Sequence, residues 1–300
     1  MTRPLLAFAF ICVVFGTTFA AIAVGLRDGW PPFFAAGMRF TIGGTLVVLV
    51  AATRGGLRRI AMRDLLGIAL VGLTLTTISF AVLYRAESVL PSSLAALLSA
   101  SAPLFAFALA VALGRRRVDL ASIGGVLLGT LGVVLVCGFG RAEGGGTALF
   151  AALALAGSQI AYVVGLTVSR GLLQRVPMLQ IAGGQQLFGG LVLLALSLAF
   201  EHRVPARLDA NGVIALAYLA IVATAGAHTL LVWLSGATSP TFAASWTYVS
   251  PFIALLAGAL WLHEPVGGAA WLGGALVVCG CVALNADAVG ALRRRRVAPT

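Results

Sequence analysis

Apolar residues dominate this chain in long runs, and the polar positions cluster in the short gaps between them. Ten runs are long enough to matter: 5–25, 32–52, 65–84, 92–113, 120–138, 147–168, 178–200, 212–234, 239–262 and 268–287. At about 1.5 Å of rise per residue, about 20 residues cross a hydrocarbon core of about 30 Å. The pattern therefore predicts an all-α membrane protein with ten transmembrane helices. Pro, Gly and Arg gather in the gaps, as expected where apolar helices stop and the chain meets water.

The pattern is also written twice. Pro31, Gly37, Gly43 and Gly44 recur with identical gaps as Pro177, Gly183, Gly189 and Gly190. Pro103, Gly125 and Gly132 recur in the same way as Pro251, Gly273 and Gly280. This predicts one five-helix repeat over 1–139, a second over 140–290, and a basic cytoplasmic tail over 291–300. Five is odd, so the second copy must enter the bilayer with the opposite orientation. Inverted repeats of this kind are the architecture many secondary transporters use to alternate access around a midplane site.

Composition excludes a soluble domain: 60% of residues are hydrophobic, 10% are charged and the mean hydropathy is +1.05. A formal net charge of +11 would suggest a nucleic-acid partner in a soluble protein. Here the basic residues, all arginine, lie in short loops, so no nucleic acid is implied. Positive residues are retained on the cytoplasmic side. With a cytoplasmic N-terminus, that side carries Arg3, Arg54, Arg58, Arg59, Arg63, Arg115, Arg116, Arg117, Arg170, Arg175 and Arg293 to Arg296. The other side carries only Arg27, Arg85, Arg141, Arg203 and Arg207. Both termini are therefore expected in the cytoplasm. The first apolar run follows Arg3 like a signal peptide but matches the start of the second repeat, so it is read as a retained helix. Cys12, Cys137, Cys279 and Cys281 all fall in spans without metal-ligand spacing and read as small packing residues. No metal and no cofactor is called for.

Several short motifs carry a family resemblance over nearly the whole chain. Val249-Ser250-Pro251, then Leu262-His263-Glu264-Pro265, then Gly273 and Gly280, resemble the end of an EamA repeat in the drug/metabolite transporter superfamily. The first copy keeps the proline and glycines but has Arg116 where Glu264 aligns, and Phe15-Gly16-Thr17 stands where family members often have Trp-Gly. A ten-helix protein built from two EamA domains is what the resemblance implies. It also implies a bacterial inner-membrane, non-ATP carrier for small molecules. Such carriers export amino acids and related metabolites, or alternatively lipophilic drugs, by alternating access. A membrane-embedded enzyme would need clustered acids and histidines near one face, and none stands out.

Polar residues inside spans are the candidates for the pathway. Arg39 is the one clear charge within a span; its long stem could snorkel to the interface or its guanidinium could bind a carboxylate. Gln185, followed by Gln186, is its counterpart in the second repeat. His228 shares a helical face with Thr224, and the imidazole reads either as a neutral group bonded to a neighbouring helix or as a pathway residue. Gln159, Tyr162, Ser245, Trp246 and Tyr248 complete the substrate-cavity candidates. Pro103 and Pro251 suggest paired bends suited to gating. Glu264 reads as the acid opening the tenth helix or as a gate. Gly125, Gly129, Gly132, Gly273 and Gly280 form stripes for close helix packing, between the halves or between protomers of a homo-oligomer. All nine acids fall at span ends or in loops. Transport is accordingly expected to be uniport or exchange, or to be coupled through a residue other than Asp or Glu.

Overall fold

A computed structural model describes residues 2–114, 117–201, 209–237, 246–264 and 267–284, and Ser245, Pro265 and the 291–300 tail lie outside them. Every regular element among these residues is helical. The chain runs through α1 (Thr2–Arg27), α2 (Pro32–Thr53), α3 (Met62–Val71), a π-helical stretch (Gly72–Ile78) and α4 (Ser79–Glu87). Then come α5 (Ser92–Ser99), α6 (Ala102–Ala112), α7 (Leu120–Leu172) and α8 (Met178–Phe200). It ends with α9 (Ala210–Ala217), a second π-helical stretch (Tyr218–Ala227), α10 (His228–Ala237), α11 (Trp246–Trp261) and α12 (Gly268–Leu284).

Seven helical segments are long and apolar enough to cross a membrane, and the apolar helices Ser122–Val136, Trp246–Trp261 and Gly268–Ala283 are shorter. Prolines set several boundaries. Pro31, Pro91 and Pro177 hold extended ψ values immediately before α2, α5 and α8, where a proline ring cannot continue a preceding helix. The gap expected between the fifth and sixth runs is narrower than the sequence suggests. Helical backbone continues to Gly144, and the one break inside α7 is Gly145, at φ 64° and ψ −151°. The intervening residues include no proline, so nothing before that left-handed glycine forces the helix to stop.

The two prolines of the repeat behave differently. Pro103 sits in the first turn of α6, just after the interruption at Ala100–Ser101, and it has no N–H to offer the preceding turn. Pro251 lies inside α11, which continues through it. Only the first of the expected bends is therefore a helix break. Pro251 is one turn from the first described residue of its helix, so its ring meets only the carbonyls of that first turn.

Helices that correspond between the repeats pack against each other. On α2, Gly37 and Gly44 face Leu194 and Leu187 of α8; on α8, Gly183 and Gly190 face Val48 and Thr41 of α2. Each step forward on one helix meets a step backward on the other, so the pair is antiparallel. A Cβ at Gly44 would stand 2.5 Å from the Leu187 nitrogen, and one at Gly190 would stand 2.5 Å from the Thr41 nitrogen. These glycines let the two backbones touch, the device that replaces hydrophobic burial as a packing force in lipid. The first part of α7 and α12 repeat the arrangement. Gly132 abuts Gly273 and Val277, while Gly280 abuts Gly125 and Gly129; Gly129 itself faces Leu104 of α6. No disulfide joins Cys12, Cys279 and Cys281; Cys12 and Cys281 are buried, whereas Cys279 is exposed.

Candidate functional site

The antiparallel crossing of α2 and α8 places two polar residues at matching depth. Arg39, on α2, is 1% exposed and its Nε donates to the Thr224 Oγ1 at 3.0 Å. Gln185, on α8, accepts from the Thr76 Oγ1 at 2.5 Å. Thr76 and Thr224 belong to the two π-helical stretches, which occupy corresponding places in the repeats. Wider helical turns of this kind are frequent at functional positions because they re-aim side chains. The result is one polar bridge written twice, Arg39–Thr224 and Gln185–Thr76. The Arg39 side chain stays inside the protein and does not reach the interface. Phe40 and Phe80 hold the guanidinium, with their ring centres 4.9 and 5.3 Å from its carbon. Its Nη1 is buried without an acceptor among the described residues.

Arg39 and Gln185, one member of each bridge, line a cavity of about 290 Å³. The structure brings Arg39, Gln159, Tyr162, Gln185, His228 and Trp246 to its wall, together with Gln186, whose buried Oε1 has no hydrogen-bond donor among the described residues. Phe15, at the site of the departed Trp, supports an aromatic corner: its ring lies 5.0 Å from His228 and 4.5 Å from Trp246, each edge-on. Among the described residues, no hydrogen bond joins His228 to a neighbouring helix. Its Nδ1 lies 3.2 Å from the Ala223 carbonyl of its own chain segment, which also accepts the His228 backbone N–H at the end of the π-helical stretch. Gln159 donates to the Leu155 carbonyl and to Ser158. Tyr248 does not line the cavity; its hydroxyl donates to the Cys281 carbonyl at 3.3 Å. Pro251 does line it, and Pro103 does not.

One end of the cavity extends past Ser169 and Leu173 to Met178, near the start of α8. Near that end, Arg175 pairs with the buried Asp64 at 3.1 Å, and the Arg58 backbone and the Gln180 side chain exchange two hydrogen bonds. Away from that end, Glu264 lines a separate vestibule with Arg27, Arg85 and Glu87. This carboxylate does not serve the helix that follows it, because α12 starts only at Gly268. It accepts instead from the Ser92 N–H and Oγ, both at 2.8 Å, and from the Ser93 N–H at 3.0 Å, at the N-terminus of α5. Arg27, at the end of α1, lies 3.7 Å away. A carboxylate on free N-terminal amides is favoured by both hydrogen bonding and the helix dipole. Its neighbour His263 holds a left-handed φ of 53°, which turns the chain so that Glu264 points back. Glu201 does the same for α2, accepting from the Phe33 and Phe34 N–H groups at 2.8 and 3.0 Å.

Three features escaped sequence reasoning. Thr76 and Thr224 are ordinary membrane threonines until the repeats are superimposed, when their matching positions become visible. Phe15 and Phe80 look like core residues, and only the fold shows them holding Arg39 and His228. The reach of Glu264 to Ser92 spans 172 residues of sequence and leaves no local signal.

Comparison with known proteins agrees with this architecture. A solved crystal structure that is 21% identical covers 99% of this chain and all of its own at a TM-score of 0.67, which shows the shared fold. The uncharacterized inner membrane transporter YedA of Escherichia coli is 29% identical over 89% of this chain and 85% of its own. A probable terminal-alkyne amino-acid exporter of Streptantibioticus cattleyicolor is 29% identical over 100% of this chain and 98% of its own. The sequence profile of the EamA-like transporter family matches twice, at residues 2–138 and 149–286, so the chain belongs to that family and is a small-molecule transporter of the membrane rather than an enzyme.

Proposed function

We propose that this chain exports amino acids or closely related metabolites across the bacterial inner membrane, without ATP, by alternating access. In this reading ten helices form two inverted repeats, 1–139 and 140–290, with both termini and the 291–300 tail in the cytoplasm. The observation that carries it is the paired bridge Arg39–Thr224 and Gln185–Thr76 at the wall of an internal cavity. Two repeats that rock against each other need their contacts duplicated about one axis, and these are duplicated.

The chemistry of the wall favours a small substrate with a carboxylate. The buried Nη1 of Arg39 offers a charged donor, and guanidinium groups pair well with carboxylates. An ammonium group would find the rings of Phe15 and Trp246 and the amide oxygens of Gln159 and Gln186. A cavity of about 290 Å³ sits at the small end of the range for ligand pockets. Lipophilic cationic drugs would meet both a tight wall and a repelling charge. The amino-acid exporter among the relatives points the same way. Glu264 acts as the gate on the outer side, tying the second repeat to Ser92, Ser93 and Arg27 of the first, and Pro103 and Pro251 flank the moving segments.

Counterflow in liposomes tests this reading. Purified protein preloaded with an unlabelled neutral amino acid takes up the labelled one, and Arg39→Ala removes that exchange while remaining folded. Unchanged exchange in Arg39→Ala, or no exchange of any amino acid by the native chain, contradicts it.

A further inference from the structure

Most described acids have an evident task. Glu201 and Glu264 cap helices, Asp119 accepts from the Ser122 N–H, and Asp64 pairs with Arg175. Glu87 stands apart. It is the last residue of α4 and 7% exposed, and both of its carboxylate oxygens are buried without a hydrogen-bond partner among the described residues. Leaving such a group unpaired inside a protein is costly, and unpaired ionisable groups in membrane proteins mark proton and ion pathways.

Its position is between two spaces. Glu87 lines a vestibule of about 720 Å³ together with Arg27, Arg85, His263 and Glu264. The same helix, α4, presents Phe80 and Leu83 to the central cavity, with Tyr84 between. The face of α4 therefore runs from the vestibule to Phe80, on which the Arg39 guanidinium rests. Arg39 and Glu264 both lie within electrostatic range of Glu87, with opposite signs. Around it, α1 contributes Arg27, α4 contributes Tyr84 and the exposed Arg85, α2 contributes Arg39, and the α11–α12 connection contributes His263 and Glu264. The adjoining part of α7 (Ala148, Ala152, Leu155) and the first turn of α5 bring no titratable group.

We propose that Glu87 is a proton-binding site that couples substrate movement to the pH gradient across the membrane. The proposal rests on the transport reading above and departs from the expectation of uniport, exchange or coupling through a residue other than Asp or Glu. Glu87 gains or loses its proton without breaking any hydrogen bond, and the vestibule gives that proton a route. The change of one charge is felt at Arg39, so proton occupancy and carboxylate binding influence each other. By thermodynamic reciprocity, substrate must alter proton binding by the same factor.

Two measurements test it on the full chain. In proteoliposomes with a gradient of one pH unit, one proton per substrate supports about tenfold accumulation of labelled amino acid, because about 1.4 kcal/mol corresponds to a factor of ten. Glu87→Gln keeps counterflow but brings the accumulation ratio to about one, while Asp119→Asn, at a helix cap lining neither space, keeps a gradient response. The compartment that fills distinguishes symport from antiport, and either supports the proposal. In detergent, pH-induced infrared difference spectra show a buried carboxyl band that is lost in Glu87→Gln and retained in Glu264→Gln. That spectrum reports on the proton site even if no amino acid is carried, so failure of the transport reading stays distinguishable. A native chain indifferent to the pH gradient, a gradient response that survives in Glu87→Gln, or a carboxyl band that persists in it overturns the proposal.

Discussion

Arg39 and Thr224 are joined across the two repeats by a buried 3.0 Å hydrogen bond, and the bond has a counterpart in Thr76 and Gln185. An arginine held this way has exchanged the interface for a fixed place among Phe40, Phe80 and a hydroxyl. Thr224→Val removes the acceptor of a buried charged donor while keeping the side chain's shape. The expected loss is about 1–3 kcal/mol, read as a lower unfolding temperature in detergent, whereas Thr224→Ser stays near the native value. Equal stability of both variants would mean that Arg39 is satisfied elsewhere.

The α2–α8 contact makes a contrast between glycines. Gly44→Ala places a methyl group 2.5 Å from the Leu187 backbone nitrogen, so helices must separate. Overpacking of this kind costs about 1–3 kcal/mol, and less folded protein is expected. Gly157 has nothing within 4 Å of its would-be Cβ. Gly157→Ala is therefore expected to be neutral or to add about 0.5–1 kcal/mol through helix propensity. Thermal unfolding of the two variants side by side checks both.

Much of this fold was legible in the chain. The apolar runs located the helices, and the repeated Pro and Gly positions identified which helices correspond. Gly37, Gly44, Gly183 and Gly190 sit where helices α2 and α8 touch, because only small residues permit that approach. Of the candidate site, Arg39, Gln159, Tyr162, Gln185, His228 and Trp246 come together at one cavity, since a polar residue in a span must find a polar neighbour. What the sequence hid was partnership. Nothing local tells that Glu264 reaches Ser92, that Pro251 leaves its helix continuous, or that Glu87 ends up buried.

Glu264 offers a prediction on gating. Glu264→Ala leaves the Ser92 and Ser93 N–H groups without their acceptor and unties the second repeat from the first. An impermeant thiol reagent should then reach a cysteine placed at Ala96, a buried position on the cavity wall, faster than in the parent. An unchanged labelling rate would show that Glu264 holds nothing shut.

His263 carries a strained backbone next to that gate. A non-glycine residue in the left-handed region costs about 1–2 kcal/mol, and its φ is 53°. His263→Gly should raise the unfolding temperature. A drop would indicate that the imidazole contributes more than the strain removes.

The inverted arrangement of the repeats is tested most directly by sidedness. Val89 lines the vestibule with Gly29, after the first helix, while Gln174 stands at the corresponding place in the second repeat, before Pro177. In a background without native cysteines, Val89→Cys and Gln174→Cys are exposed to a membrane-impermeant maleimide on intact cells. Labelling of the Val89 position alone, with the Gln174 position reacting only after the membrane is opened, is the expected result. Labelling of both from the same side would contradict two repeats of opposite orientation.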